Sequence, residues 1–141
     1  MIFQPAVGKH KKQFKGKIKP KSKAGNLINF GIYALKALSA ARVDARQIEA
    51  ARKAAMKYIK KIGKLWIRVY PTIPVTKKPT EIRMGKGKGE VEKWIFRVSP
   101  GRILFEIGGV SDTLARAALT AAAFKLNIKT SLVSAMQQLA C

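Results

Sequence analysis

A chain of 141 residues suits one domain, and an apolar share of 48% supplies a modest core. Against 29 Lys and Arg stand only 7 Asp and Glu, a formal charge of +22 that calls for a polyanionic partner, nucleic acid first and an anionic membrane surface a weaker second. The one cysteine, Cys141, excludes an internal disulfide framework and a Cys-based zinc site, and no apolar run reaches bilayer-spanning length.

Residues 1–43 hold nine lysines and Arg42 and no acid; Asp44 is the first carboxylate. Gly16, Pro20 and Gly25 are spaced so that no long helix survives. Residues 1–26 therefore read as a basic arm that folds only against a polyanion. Its contacts would be Lys9, Lys11, Lys12, Lys15, Lys17, Lys19, Lys21 and Lys23, with His10 a further polar residue. An organelle transit peptide shares the lack of acids. However, lysine dominates over arginine, Pro5, Gly8 and Gly16 interrupt any amphipathic helix, and no secretory signal is present in residues 1–23. Phe3 and Phe14 are candidates either to stack on bases or to anchor the arm to the core.

Residues 27–141 read as the globular part. "LINFGIYALKAL" (27–38) is extended, with Gly31 marking a bulge or a close backbone approach. A helix follows over 45–62, with Asp44 as N-cap, Gln47 completing a capping box, Val43 and Ile48 at the staple positions, and Gly63 at C′. Ile48, Ala51, Ala55, Ile59 and Ile62 share its apolar side, while Arg46, Lys53, Lys57 and Lys60 line the other. Only Glu49 lies among these cations, so pairing along the helix does not account for them and phosphate contact is favoured over a merely solvated face.

"KLWIRVYP" (64–71) alternates as a strand, and Pro71, Pro74 and Pro79 then predict an extended connection. "VEKWIFRVSP" and "GRILFEIGGV" are two strands joined by a turn at Pro100-Gly101. Ser111 caps a second, alanine-rich helix that can lie close to a sheet, and "IKTSLVS" (128–134) adds an edge strand. The order predicts an α+β fold, two helices on one face of a mainly antiparallel sheet.

Between two strand-like runs lies "RMGKGKG" (83–89). Gly85, Gly87 and Gly89 let the main chain press close to a partner, Arg83, Lys86 and Lys88 make that partner anionic, and Met84 adds an apolar contact. The segment lacks the Gly-Lys-Ser/Thr ending of a P-loop and the spacing of a dinucleotide fingerprint. With one His, one Cys and scattered acids, the chain offers no catalytic constellation, metal set or cofactor site, and it reads as a binding protein. A membrane-surface binder would show bulky apolar residues beside its cations, whereas "AARKAAMKYIKKI" is mostly alanine.

The segments "ARQIEAARKA" (45–54), "GKLWIRVYP" (63–71), "TKKPTEIRMGKGKGEVEKW" (76–94), "PGRILFEIGGV" (100–110) and "ALTAAAFKLNIKT" (117–130) together resemble one family, in its order. This is the sixteenth large-subunit ribosomal protein of bacteria and organelles (L-sixteen, homologous to L-ten-e). The resemblance implies an α/β-hammerhead-type fold and a structural role in the large ribosomal subunit. It also implies binding to large-subunit rRNA near the central protuberance, beside neighbouring ribosomal proteins. Residues Arg83, Met84, Gly85, Lys86, Gly87, Lys88 and Gly89 would inherit the loop that approaches tRNA at the aminoacyl site. The opening "QPAVGKHKKQFKG" departs from the family's usual arm, and "ALKALSAAR" replaces its glycine- and arginine-rich stretch. With 21 Lys to 8 Arg and abundant Ile, these departures point to an organellar ribosome, mitochondrial before plastid, with the bacterial cytoplasm as a further alternative. A free-standing basic nucleic-acid-binding or architectural protein is the rival function.

Overall fold

The computed structural model describes residues 4–6 and 9–136. After the arm come β1 (Tyr33–Ala37), β2 (Ala41–Asp44), α1 (Ala45–Ile59), β3 (Lys64–Ile67) and β4 (Ile73–Lys77). They are followed by β5 (Glu90–Val98), β6 (Ile103–Gly108), α2 (Asp112–Ala123) and β7 (Thr130–Ser134). The fold is α+β, and every strand pairing is antiparallel.

The strands divide into two sheets, ordered β3-β6-β1-β7 and β2-β5-β4. β6 is buried along its whole length, which explains its nearly continuous apolar run. Consecutive strands β5 and β6 meet at the expected turn, where the Arg102 amide donates to Ser99 O at 3.2 Å and Gly101 takes φ +88°. They then part into different sheets, so this corner joins the two sheets. β7 takes the edge position expected of it, beside β1.

Two strands are additions to the sequence reading. β2 pairs with β5 in the segment just before the helix. β4 occupies what proline content predicted to be a connection. Pro74 is tolerated there because β4 is an edge strand, where one missing N–H need not break a ladder.

The start of α1 is as expected. Asp44 Oδ1 accepts from the Arg46 amide at 3.2 Å, Gln47 Oε1 accepts from the Asp44 amide at 2.9 Å, and Val43 and Ile48 are both buried. Its end is not. The helix stops at Ile59, and Lys60, at φ +51°, turns the chain while its amide donates to Met56 O at 2.9 Å. Ile62 therefore lies beyond the helix and is 72% exposed rather than in the apolar stripe. Gly63 serves close packing instead: a Cβ there would collide with the side chains of Val110 and Ile59.

The alanines of α2 bring it chiefly against α1. Ala51 and Ala55 of α1 share one buried cluster with Ala115, Ala118 and Ala122 of α2, together with Ile48, Ile59 and Leu119. Each fully buried Ile or Leu in it contributes about 1.5–3 kcal/mol relative to exposure. A larger side chain at Ala118 would force the helices apart, at a cost of about 1–3 kcal/mol.

Segment 27–32, predicted as part of a strand, is held as a loop by one buried acid. Glu106 of β6, 0% exposed, accepts from the amides of Phe30 at 2.7 Å and Gly31 at 2.9 Å, with a longer contact from Asn29, and it pairs with the Arg68 guanidinium. Gly31 is the close approach rather than the bulge: a Cβ would lie 2.6 Å from Ile107 O. The register shift in β1 falls between Leu35 and Lys36.

Candidate nucleic-acid interface

The loop between β4 and β5 stands off the smaller sheet, and residues 81–88 are exposed throughout. Gly85, Lys86 and Gly87 all have positive φ, at +111°, +53° and +91°. Nothing lies within 4 Å of where a Cβ would sit at Gly85 or Gly87, so internal packing does not exclude side chains there. The backbone conformation does. Gly89 differs, since its Cβ would meet Lys77 O at 2.7 Å; this glycine closes the root of the loop. Lys78 Nζ donates to Gly85 O and steadies the near limb.

The three loop cations are not equivalent. Arg83 and Lys86 make no hydrogen bond or ion pair among the described residues. Lys88 is already engaged: its Nζ donates to Gln13 O at 2.9 Å and lies 5.1 Å from the centroid of the Phe14 ring. Met84, exposed like its neighbours, sits between the free cations. The free charge of the loop is therefore concentrated at its tip.

Residues 9–25 run alongside the body without helix or strand. Their main-chain carbonyls are gripped by arginines of the globular part. Arg42 Nη2 donates to Gly16 O at 2.9 Å, Arg102 Nη1 to Ala24 O at 2.9 Å, and Arg97 Nη1 reaches Lys17 O at 3.4 Å. Burial, with Arg68 nearby, pushes the Arg102 guanidinium below its ordinary pKa. Lys12 donates to Lys88 O at 3.0 Å and, with Lys11, to the Glu90 carboxylate, which these two ammonium groups hold below its ordinary pKa, Lys12 foremost. Lys9, Lys15, Lys17, Lys19, Lys21 and Lys23 keep exposed side chains. Phe14, at 91% exposure, does not anchor the arm in the core, and Phe3 lies outside the described residues.

Arg46, Lys53 and Lys57 of α1 are exposed, as is Lys60, which lies past the helix end at its C-cap and not within the helical stripe expected over 45–62. Glu49 does not neutralise them. It is buried and takes both Nε and Nη2 of Arg52, at 2.9 and 2.8 Å, and that contact holds its carboxyl down to about 2 from an ordinary 4.5. The other acids are similarly spent: Asp44 on Lys93, Glu90 on Lys11 and Lys12, Glu92 on Lys77, Glu106 on Arg68 and Asp112 on Arg116. Glu81 is the remaining carboxylate without such a pair among the described residues.

The structure thus brings the arm and the loop root together through Lys12, Gln13 and Lys88. Lys15 also comes beside Gln47 at the start of α1, across a hollow of about 280 Å³ that Arg42 and Lys93 share. No hydrogen bond or ion pair among the described residues joins Lys53, Lys57 or Lys60 to the arm or loop. The arginines that grip the arm were missed from sequence, because their spacing carries no motif. The charge array offers many cations, few free acids and no group of three or more His, Cys, Asp or Glu among the described residues that could hold a metal. No helix among those residues is long and apolar enough to cross a membrane.

Comparison with known sequences gives the array a context. The family described as ribosomal protein L16p/L10e matches residues 5–133. A large ribosomal subunit protein uL16 from Erythrobacter litoralis is 56% identical over 133 residues, covering 94% of this chain and 92% of that protein. Proteins of the same name from Bartonella quintana and Bartonella bacilliformis are 53% and 54% identical, covering 97% and 94% of this chain and 100% and 96% of their own lengths. These relatives are bacterial and give no support to the mitochondrial or plastid expectation. A lysine- and isoleucine-rich composition reflects coding bias, which does not separate organelles from bacteria.

Proposed function

The chain belongs to the ribosomal protein L16p/L10e family, and from that premise we propose that its arm, loop and helix stripe bind large-subunit rRNA and that the loop tip helps position tRNA at the aminoacyl site. The protein is a structural constituent of the large ribosomal subunit, not an enzyme, with rRNA and other ribosomal proteins as its partners. Membership of the family displaces the free-standing nucleic-acid-binding reading. Its relatives favour a bacterial ribosome.

The observation that carries the loop assignment is that Arg83 and Lys86 are unpaired among the described residues, at the tip of an exposed hairpin-like projection. Two ordered strands supply rigidity at its base, and a backbone without side chains at Gly85 and Gly87 admits a phosphate or ribose at close range. Neither cation stabilises the fold, so both are available to an outside anion. The contribution to peptide-bond formation is electrostatic positioning: holding an acceptor arm in place without touching the reacting atoms.

The test replaces Arg83 and Lys86 by Ala and follows two quantities in parallel. Incorporation into large subunits is expected to persist, while aminoacyl-tRNA binding weakens. Normal tRNA binding by fully incorporated variant protein would overturn the role. Loss of incorporation would make the loop an assembly element instead.

A further inference from the structure

A second surface, built by Phe30, Lys64 and Trp66, has the chemistry of a base-binding site. Trp66 of β3 lies over Gly108, where a Cβ would come 3.2 Å from the indole ring. The Phe30 ring stacks beside it, with centroids 6.3 Å apart and planes 20° from parallel. The buried Glu106 fixes this arrangement from below by holding the Phe30 and Gly31 amides, and its partner Arg68 lies 5.0 Å from the Phe30 centroid. Despite this anchoring Phe30 is 58% exposed and Ile32 is 51% exposed.

Together they border an open groove of about 440 Å³, floored partly by Gly31, Gly63 and Gly108. No carboxylate lines it. Lys64 does, with its ammonium 5.4 Å from the Trp66 centroid, and Lys60 and Lys61 are exposed just before it in the chain. Aromatic faces held rigidly beside an uncompensated ammonium suit an unpaired nucleotide: a base for the rings and a phosphate for the lysine. The cationic rim argues against a basic neighbouring protein.

We propose that Phe30 and Trp66 form a stacking platform for one unpaired RNA base, with Lys64 on the adjoining phosphate. This rests on the RNA-binding reading above and adds a contact that reads single-stranded RNA, where the other cations read charge.

Trp66 and Trp94 are the only two tryptophans, so the full chain with Trp94→Phe reports on Trp66 alone. Three probes separate the chemistry: a single-stranded oligoadenylate, an RNA duplex of equal length, and heparin. Oligoadenylate is expected to quench Trp66 emission; the duplex and heparin, which offer charge without a free base, are expected to bind and leave it unchanged. Phe30→Leu should weaken oligoadenylate binding roughly tenfold and spare heparin binding. Phe30→Tyr, which keeps a ring and the same backbone, should retain the quench. Lys64→Gln should lower the salt slope for oligoadenylate by about one. Equal quenching by heparin, or unchanged oligoadenylate affinity in Phe30→Leu, overturns the platform. So does a silent Trp66 in a chain that still enters large subunits, which leaves the rRNA reading standing. Failure to bind any of the three probes together with failure to enter subunits overturns both.

Discussion

Arg68 and Glu106 form an ion pair in which the carboxylate is fully buried and the guanidinium nearly so, with side-chain exposures of 0% and 16%. The carboxylate also collects backbone amides from segment 27–32. Removing Arg68 leaves a buried charge with only amide partners. Arg68→Ala is therefore expected to destabilise the fold by about 3–5 kcal/mol. Glu106→Gln, which keeps an oxygen for the amides, should cost less. Denaturant midpoints of the two variants measured side by side check the order.

The Glu49–Arg52 contact makes a separate, acid-dependent contribution. Because the Glu49 carboxyl titrates at about 2 in the fold, below its ordinary 4.5, its stabilisation is complete above 4.5 and fades as pH falls toward 2. In Glu49→Gln that part of the pH dependence should vanish. The stability gap between native and variant chains should narrow steadily from pH 5 to pH 2. A gap of constant size over that range would show that Arg52 does not hold the carboxyl.

At the start of α1, Asp44→Ala removes a side-chain cap and the 3.4 Å contact with Lys93. A loss of about 1 kcal/mol is expected, with an unchanged denaturant slope.

The exposed cations of α1 and of its C-cap should behave oppositely. Replacing Lys53, Lys57 and Lys60 by Gln should leave stability nearly untouched and flatten the salt dependence of RNA binding by roughly 2–3 units of slope. An unchanged slope would mean that this face meets water in the subunit.

The arm's order is carried by side chains. Among the described residues, no backbone amide of residues 9–21 donates a hydrogen bond, and Ser22 is the first of the arm to do so, to Pro100 O at 2.9 Å. Amide exchange in the free protein should therefore be fast through residues 9–21 and slowed at Ser22. Addition of RNA should slow the whole stretch. Strong protection of residues 9–21 without RNA would contradict an arm completed by its partner.

These elements differ in how plainly the sequence announces them. The beginning of α1 is local chemistry, since Asp44 and Gln47 are enough to write a capping box. Its end is not, because Gly63 looks like a helix terminator but is needed where the chain passes Val110. β2 is hard to see because its four residues, Ala41–Asp44, alternate over too short a run to stand out and become a strand through β5. β4 is hidden by Pro74, whose acceptability depends on an edge position known only from the sheet order. In the loop, composition gives the positive charge. That Lys88 is occupied while Arg83 and Lys86 are free depends on the arm folding back. An acid in the middle of "ILFEIG" is a legible sign of a buried partner, yet only the fold names Arg68.

The consumption of carboxylates in internal pairs has a cost for the unassembled molecule. A surface almost without free acids has nothing with which to repel a wrong polyanion. A formal charge of +22 favours adhesion to any nucleic acid within reach, without regard to sequence. Selectivity then has to come from slower features such as shape and fit, after first contact.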